Sequence, residues 1–319
     1  MSPVEPRNAA GAPRLAPADF PPEVLSLFQH YVHGSLDRRG FLDQASKYCV
    51  GGTTAAGLLA ALQPNFAAAQ QIPKGDARLK EETVEFDSPQ GYGKGRGYLV
   101  RPASAPPAMS QPGRPTTGLP LVLVIHENRG LNPHIEDVAR RMALAGFVAF
   151  APDALFAMGG YPGNEDDARS LFQQLDQAKT REDMVAAAAY LKGVPGGNGK
   201  VGAVGFCWGG GMTNYLATRL PDLAAAVPFY GPAPAVDRVP MIKAPLLLVF
   251  AADDEFVNKT WPPYETALKA ADKSFDAFMY PGTLHGFNND TTPRYNAEAA
   301  KQAWDRTVAF FNRHLRTAS

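Results

Sequence analysis

The sequence predicts an α/β fold: a mainly parallel central sheet with helices on both faces. Three observations lead there. From residue 119 onward, short apolar runs alternate with stretches of helical periodicity. Leu119–Ile125 is continuously apolar, as a strand buried on both faces requires. The 319 residues are 45% hydrophobic and 19% charged, enough to bury a sizeable core and to exclude disorder over the whole length.

The first seventy residues stand apart. After a Pro- and Ala-rich start, Pro22, Leu25, Leu27, Phe28, Tyr31 and Val32 would line a short amphipathic helix. Asp37-Arg38-Arg39-Gly40-Phe41-Leu42-Asp43 then resembles a twin-arginine export signal. A weakly apolar stretch from Ala45 to Leu62, interrupted by Lys47 and Gln63, is no ordinary membrane span. Ala67-Ala68-Ala69 offers a cleavage site before Gln70. The expectation is a leader over 1–69, removed on export, and one domain over 70–319. Export by the twin-arginine machinery would make the product periplasmic or secreted; an ordinary N-terminal helix with a chance Arg-Arg would leave it cytoplasmic. Removal takes Cys49 and leaves Cys207 as the only thiol.

In the domain itself, Thr83–Phe86 and Gly97–Val100 read as a hairpin, and 102–118 as a Pro- and Gly-rich loop. The strand Leu119–Ile125 is followed by a helix over 134–145 and a strand Phe147–Ala151 ending at Pro152-Asp153. Residues 165–192 make one or two helices, split near Thr180. Lys200–Phe206 is a buried strand, and Trp208–Arg219 the helix after it. Further strands follow at Ala224–Phe229, Pro245–Ala251 and Phe275–Tyr280, with helices over 262–271 and 296–315.

Composition narrows the function. Lys plus Arg equals Asp plus Glu at 31 each, so no basic excess neutralises nucleic-acid phosphates. Two cysteines build neither a disulfide framework nor a Cys-rich zinc site. In parallel sheets ligands sit beyond the carboxyl ends of the strands, which here present His126–Arg129, Asp153–Tyr161, Cys207–Trp208, Ala252–Glu255 and His285–Asn289.

Gly205-Phe206-Cys207-Trp208-Gly209 joins a strand to a helix in the pattern of a nucleophile elbow, with sulfur in place of a hydroxyl. Small flanking residues let strand and helix approach closely. The helix N-terminus favours a thiolate, and the Trp208 backbone N–H can receive an oxyanion. A buried, inert Cys is the alternative. A nucleophile needs a base, and the base an orienting acid, in the chain order nucleophile, acid, histidine. His285 follows a strand, whereas His314 belongs to the last helix and reads as a surface residue. Asp254 is preferred over Asp253 as the acid, because it directly precedes the apolar re-entry Phe256-Val257. Asn128 is the candidate for the second oxyanion N–H. Glu127 is either a solvated loop charge or a partly buried functional carboxylate.

Over about residues 82–314 the chain resembles the dienelactone hydrolase family of α/β-hydrolases. The resemblance rests on Val124-Ile125-His126-Glu127-Asn128-Arg129-Gly130-Leu131-Asn132, Ala151-Pro152-Asp153, Lys200-Val201-Gly202-Ala203-Val204-Gly205-Phe206-Cys207-Trp208-Gly209-Gly210, Asp254-Glu255-Phe256-Val257 and His285-Gly286-Phe287. It implies the α/β-hydrolase fold and a triad of Cys207, Asp254 and His285. It also implies backbone oxyanion donors at Trp208 and Asn128, and a role for Glu127 in holding and activating the thiol. Two arginines that bind the substrate carboxylate in that family are missing: Asp153–Met158 contains none, and Asn289 stands in the second position. Arg129 and Arg294 are candidate substitutes. Trp208, Phe156, Met158 and Phe287 either make the pocket more apolar or belong to the core. The expected chemistry is hydrolysis of a small-molecule ester or lactone, with no metal or organic cofactor. The competing expectations are an exported thiol-bearing sensor without turnover and a partner-binding domain built on the helix near residues 20–36.

Overall fold

A computed structural model describes residues 15–104 and 118–316. Most of the expected loop over 102–118 therefore lies outside the described residues.

The segment before residue 70 is helical. Helix α1 (Pro22–His33) ends at Gly34, which supplies the left-handed φ of 85° that stops a helix. Helix α2 (Arg38–Ala45) is capped by Asp37, whose carboxylate accepts from the Gly40 N–H at 2.7 Å. Helices α3 (Ala55–Leu62) and α4 (Phe66–Ala69) start at the caps Thr54 and Asn65. The weakly apolar stretch from Ala45 to Leu62 is not one helix. Gly51 and Gly52 both take positive φ, and Thr54 restarts the helix. Val24, Phe28, Tyr31, Phe41, Leu59 and Leu62 form a small apolar core of their own. Arg38 opens α2 and pairs with Asp166 of the following domain.

That domain is built on one eight-stranded sheet. Strands β1 (Leu79–Ser88) and β2 (Gly93–Pro102) pair antiparallel along their full length. They extend well past the predicted hairpin, because an edge strand tolerates the charges of Lys80–Glu82. Then follow β3 (Leu119–Ile125), α5 (Pro133–Leu144), β4 (Val148–Pro152), α6 (Glu165–Gln173) and α7 (Gln177–Lys192). The break between α6 and α7 falls at 174–176, not near Thr180. Asp176 caps the new helix by accepting from the N–H groups of Ala178 and Lys179, and Thr180 sits inside its first turn. The chain continues through β5 (Gly197–Phe206), α8 (Trp208–Arg219), β6 (Ala225–Phe229), β7 (Leu246–Asp253), the short α9 (Glu255–Asn258), α10 (Trp261–Ala270), β8 (Phe275–Leu284) and α11 (Ala297–Leu315).

The strand order is β1-β2-β4-β3-β5-β6-β7-β8, parallel from β4 to β8. Alternation along β3 divides the core. Leu121, Leu123 and Ile125 pack with Met184, Leu191 and Leu216 on one face, while Val122 and Val124 pack with Val138, Met142 and Phe311 on the other. Among the described residues no helix is long and apolar enough to cross a membrane.

Because Leu123 is fully buried in the central strand, Leu123→Ala should lower unfolding free energy by about 3 kcal/mol with an unchanged denaturant slope, measured by urea titration.

Candidate active site

The site stands on the carboxyl ends of β5, β6, β7 and β8. Between β5 and α8, Cys207 takes φ 56° and ψ −115°, a conformation a non-glycine residue holds only when its surroundings impose it. Its N–H donates to the Phe229 carbonyl at 3.1 Å, and its carbonyl accepts from the Gly211 N–H at 3.1 Å. The flanking glycines are needed for space. A Cβ on Gly205 would lie 2.0 Å from the Gly209 carbonyl oxygen, and one on Gly209 would lie 2.4 Å from that of Ile125. The sequence pattern is thus a packing requirement that holds the sulfur in a strained bend. Trp208 begins α8, where the first N–H groups have no partner within the helix.

Two strands away, Asp254 follows β7 and His285 follows β8. His285 Nδ1 lies 2.6 Å from Asp254 Oδ2, with both side chains buried. The other carboxylate oxygen, Oδ1, accepts from the Val257 N–H at 3.2 Å. Burial disfavours the charge on Asp254, but the hydrogen bond and charge of His285 and the Val257 N–H outweigh it and hold the carboxyl below its ordinary 3.8. Burial likewise disfavours the His285 imidazolium. The charge of Cys207 and the hydrogen bond to Asp254 overcome that and raise the ring to about 10. His285 Nε2 is buried and has no hydrogen-bond partner. Cys207 and His285 both line a cleft of about 460 Å³. Asp253 is exposed, with its carbonyl taken by Gln29 Nε2.

The loop after β3 carries the remaining predicted residues. Glu127 is half-buried, and its Oε2 accepts from Asn289 Nδ2 at 3.0 Å. Asn128 lines the cleft, and its side chain donates to the Val32 carbonyl of α1 at 2.9 Å. Of the four residues considered for an apolar pocket, only Trp208 lines this cleft. Phe287 is fully buried, Met158 packs on the core, and Phe156 lies under the Arg96 guanidinium. Trp208 is held by parallel stacking on His126 at 5.4 Å and by the edge of Phe172 at 4.9 Å.

Neither candidate arginine lines the cleft. Arg129 donates to Asn128 through Nη1 and lies 3.7 Å from Glu165. Arg294 is buried beneath the site, with Nε and Nη1 lacking partners, and its guanidinium sits over the Phe28 ring of α1. Burial pulls its pKa down, while the charges of Glu127, Tyr230 and Cys207 act the other way. His314 is half-buried, with its ring against Phe310.

Among the cleft residues that escaped the sequence analysis are His33, Arg169, Phe172 and Tyr230. Tyr230 was legible, because it directly follows β6 at the same edge as the other site residues. Its ring lies 5.0 Å from His285, and its buried hydroxyl has no partner. His33 lies in the segment read as a leader. Among the described residues, His33, Asp254 and His285 are the one cluster whose ligand-type atoms come within 4.8 Å of one another. Asp254 and His285 already bond each other.

A family model described as "Dienelactone hydrolase family" matches residues 108–315. A second, "YqhI-like", matches residues 12–49. The hydrolase fragment YghX of Escherichia coli is 49% identical over 123 residues, covering 39% of this chain and 97% of that protein. A Yersinia pestis protein named as a carboxymethylenebutenolidase is 29% identical over 249 residues, covering 73% of this chain and 93% of the relative. A crystal structure from Klebsiella pneumoniae, titled as a dienelactone hydrolase, superposes with a TM-score of 0.61 at 30% identity. It covers 73% of this chain and 99% of that one.

Asp254 contributes stability at pH above the ordinary carboxylate value, and that contribution is lost as pH falls through its lowered folded value. Asp254→Asn should therefore flatten the acid side of the melting-temperature curve, recorded calorimetrically from about pH 2 to 6. An unchanged acid limb would show that the pair is not coupled to folding.

Proposed function

The chain belongs to the dienelactone hydrolase family, and we propose that it hydrolyses an ester or lactone through the sulfur of Cys207. The observation that carries this reading is the buried 2.6 Å Asp254–His285 pair. It fixes the ring by Nδ1 and leaves Nε2 unpartnered at the cleft that Cys207 also lines. A carboxylate that orients a histidine in this way serves a base.

In the proposed sequence, the Cys207 proton already resides on His285 Nε2 as a thiolate–imidazolium pair, and the thiolate attacks the acyl carbon. The carbonyl oxygen gains charge and rests on the N–H groups of Trp208 and Asn128. As the tetrahedral species collapses, the acyl C–O bond breaks and the leaving oxygen takes the proton from His285. Water then attacks the thioester, giving its proton to His285 Nε2, and the Cys207 thiolate departs as the acid is released. The Arg294 guanidinium, buried below the site, favours the negative sulfur throughout.

Asn289 accounts for one departure from the family pattern. Where the family places a carboxylate-binding arginine, this asparagine holds Glu127 instead. That favours Glu127 as a fixed acceptor beside the site. The missing arginine clamps favour esters and lactones other than the acidic dienelactone.

Cys207→Ala should lower kcat/KM for p-nitrophenyl acetate by at least about a thousandfold, measured by nitrophenolate release. Stoichiometric iodoacetamide labelling of Cys207 with no turnover on a broad ester and lactone panel would favour the thiol-sensor alternative.

A further inference from the structure

The helices before residue 70 do not simply precede the hydrolase domain; they close its site. The loops after β3, β7 and β8, and helix α6 beside them, are bonded or stacked to them. Asn128 donates to Val32, and Arg169 Nη2 donates to the Leu36 carbonyl at 2.7 Å. Gln29 Nε2 donates to the Asp253 carbonyl at 3.1 Å, and the Asn65 N–H to the Thr291 carbonyl at 2.8 Å. Asp166 receives both the Tyr31 hydroxyl and the Arg38 guanidinium. The first arginine of the twin-arginine motif is thus spent on an ion pair with the domain.

His33 is the innermost point of this contact. Its ring stacks on Phe256 at 4.4 Å and meets His285 edge-on at 4.3 Å. Nε2 is buried without a hydrogen-bond partner, 4.0 Å from Asp254 Oδ1. Burial and the charge of His285 push its pKa down to about 3, so the ring is neutral where it covers the charged pair. With Gly34, it forms one wall of the cleft that holds Cys207; Phe172, Trp208, Tyr230 and Phe256 supply other aromatic surface. Among the described lining residues no side chain is acidic, and Arg169 and the His285 imidazolium are cationic.

We propose that residues 15–69 are a permanent cap on the active site, in which the His33–Gly34 corner sets how large an acyl group reaches Cys207. The substrate class that fits is a compact, planar or aromatic, neutral acyl group, because Arg169 is already held by the Leu36 carbonyl and the Tyr31 ring. This inference builds on the ester or lactone reading. It also makes an opposite demand from export with cleavage after Ala69, because that cleavage would strip the wall from the site.

The test uses the full chain in a Cys49→Ser background, so that Cys207 is the thiol observed. Two variants open the cap from different places: His33→Ala in the wall, and Asp166→Asn at the anchor away from the cleft. Each is checked for a cooperative melt, then labelled with iodoacetamide and with the bulkier pyrene maleimide. In each variant the ratio of pyrene maleimide to iodoacetamide labelling should rise about tenfold over the parent as the restriction is relieved. In parallel, the kcat/KM ratio of p-nitrophenyl laurate to acetate should rise by about tenfold, through KM for the laurate. Parent-like selectivity toward both reagents in both variants would overturn the cap. So would an active protein, isolated from the native cell, whose N-terminus is Gln70. Thiol labelling reads the cap without any turnover, so an absence of ester hydrolysis in the parent would count against the proposed chemistry alone.

Discussion

The site depends on a single hydrogen bond, the 2.6 Å contact between Asp254 and His285. It ties together the ends of two neighbouring parallel strands, β7 and β8. Its energetic logic is not stability. Burying two ionised groups costs several kcal/mol each before pairing, and a hydrogen bond to a charged group returns about 1.5–3 kcal/mol. What the contact achieves is orientation: one ring nitrogen is fixed, and the other is left free at the cleft. Cys207, after β5, stands two strands from β7 and three from β8, and Tyr230 follows β6 with its ring 5.0 Å from His285. The sheet order therefore sets the spacing of Cys207 and His285.

Much of this was legible in the sequence because it follows from local constraint. Trp208–Arg219 and Leu119–Ile125 fall where periodicity put them, since both are buried and flanked by clear turn residues. The Gly205–Gly209 pattern reported its own reason, a close approach of backbone to backbone. Asp254 was separable from Asp253 because only one of two consecutive carboxylates could precede the apolar residues of the next helix and turn inward. The split at Asp176 was missed because the cap, and not helix propensity, decided where α7 begins.

The remaining features arise from contacts between segments distant in sequence. Arg294 was a candidate for binding a substrate carboxylate, yet it is buried with its guanidinium over the Phe28 ring. Nothing local to residue 294 announces a partner some 260 residues earlier. His33 is the stronger case. Its role as a wall depends on α1 crossing the mouth of the cleft, and no periodicity in Pro22–His33 encodes that placement. The segment before residue 70 presents weak hydrophobicity, a twin arginine and a run of alanines, all of which read as a signal. The folded chain uses those residues to build a small core and an ion pair.

The claim that joins these parts is covalent: an acyl group passes through the sulfur of Cys207. Mixing the enzyme with p-nitrophenyl acetate, quenching with acid during the first turnover and mapping peptides by mass spectrometry tests it directly. The account predicts one acetyl group on the peptide containing Cys207, absent after full turnover. An acetyl group that forms and disappears on a different residue, while the Cys207 peptide stays unmodified, would contradict it.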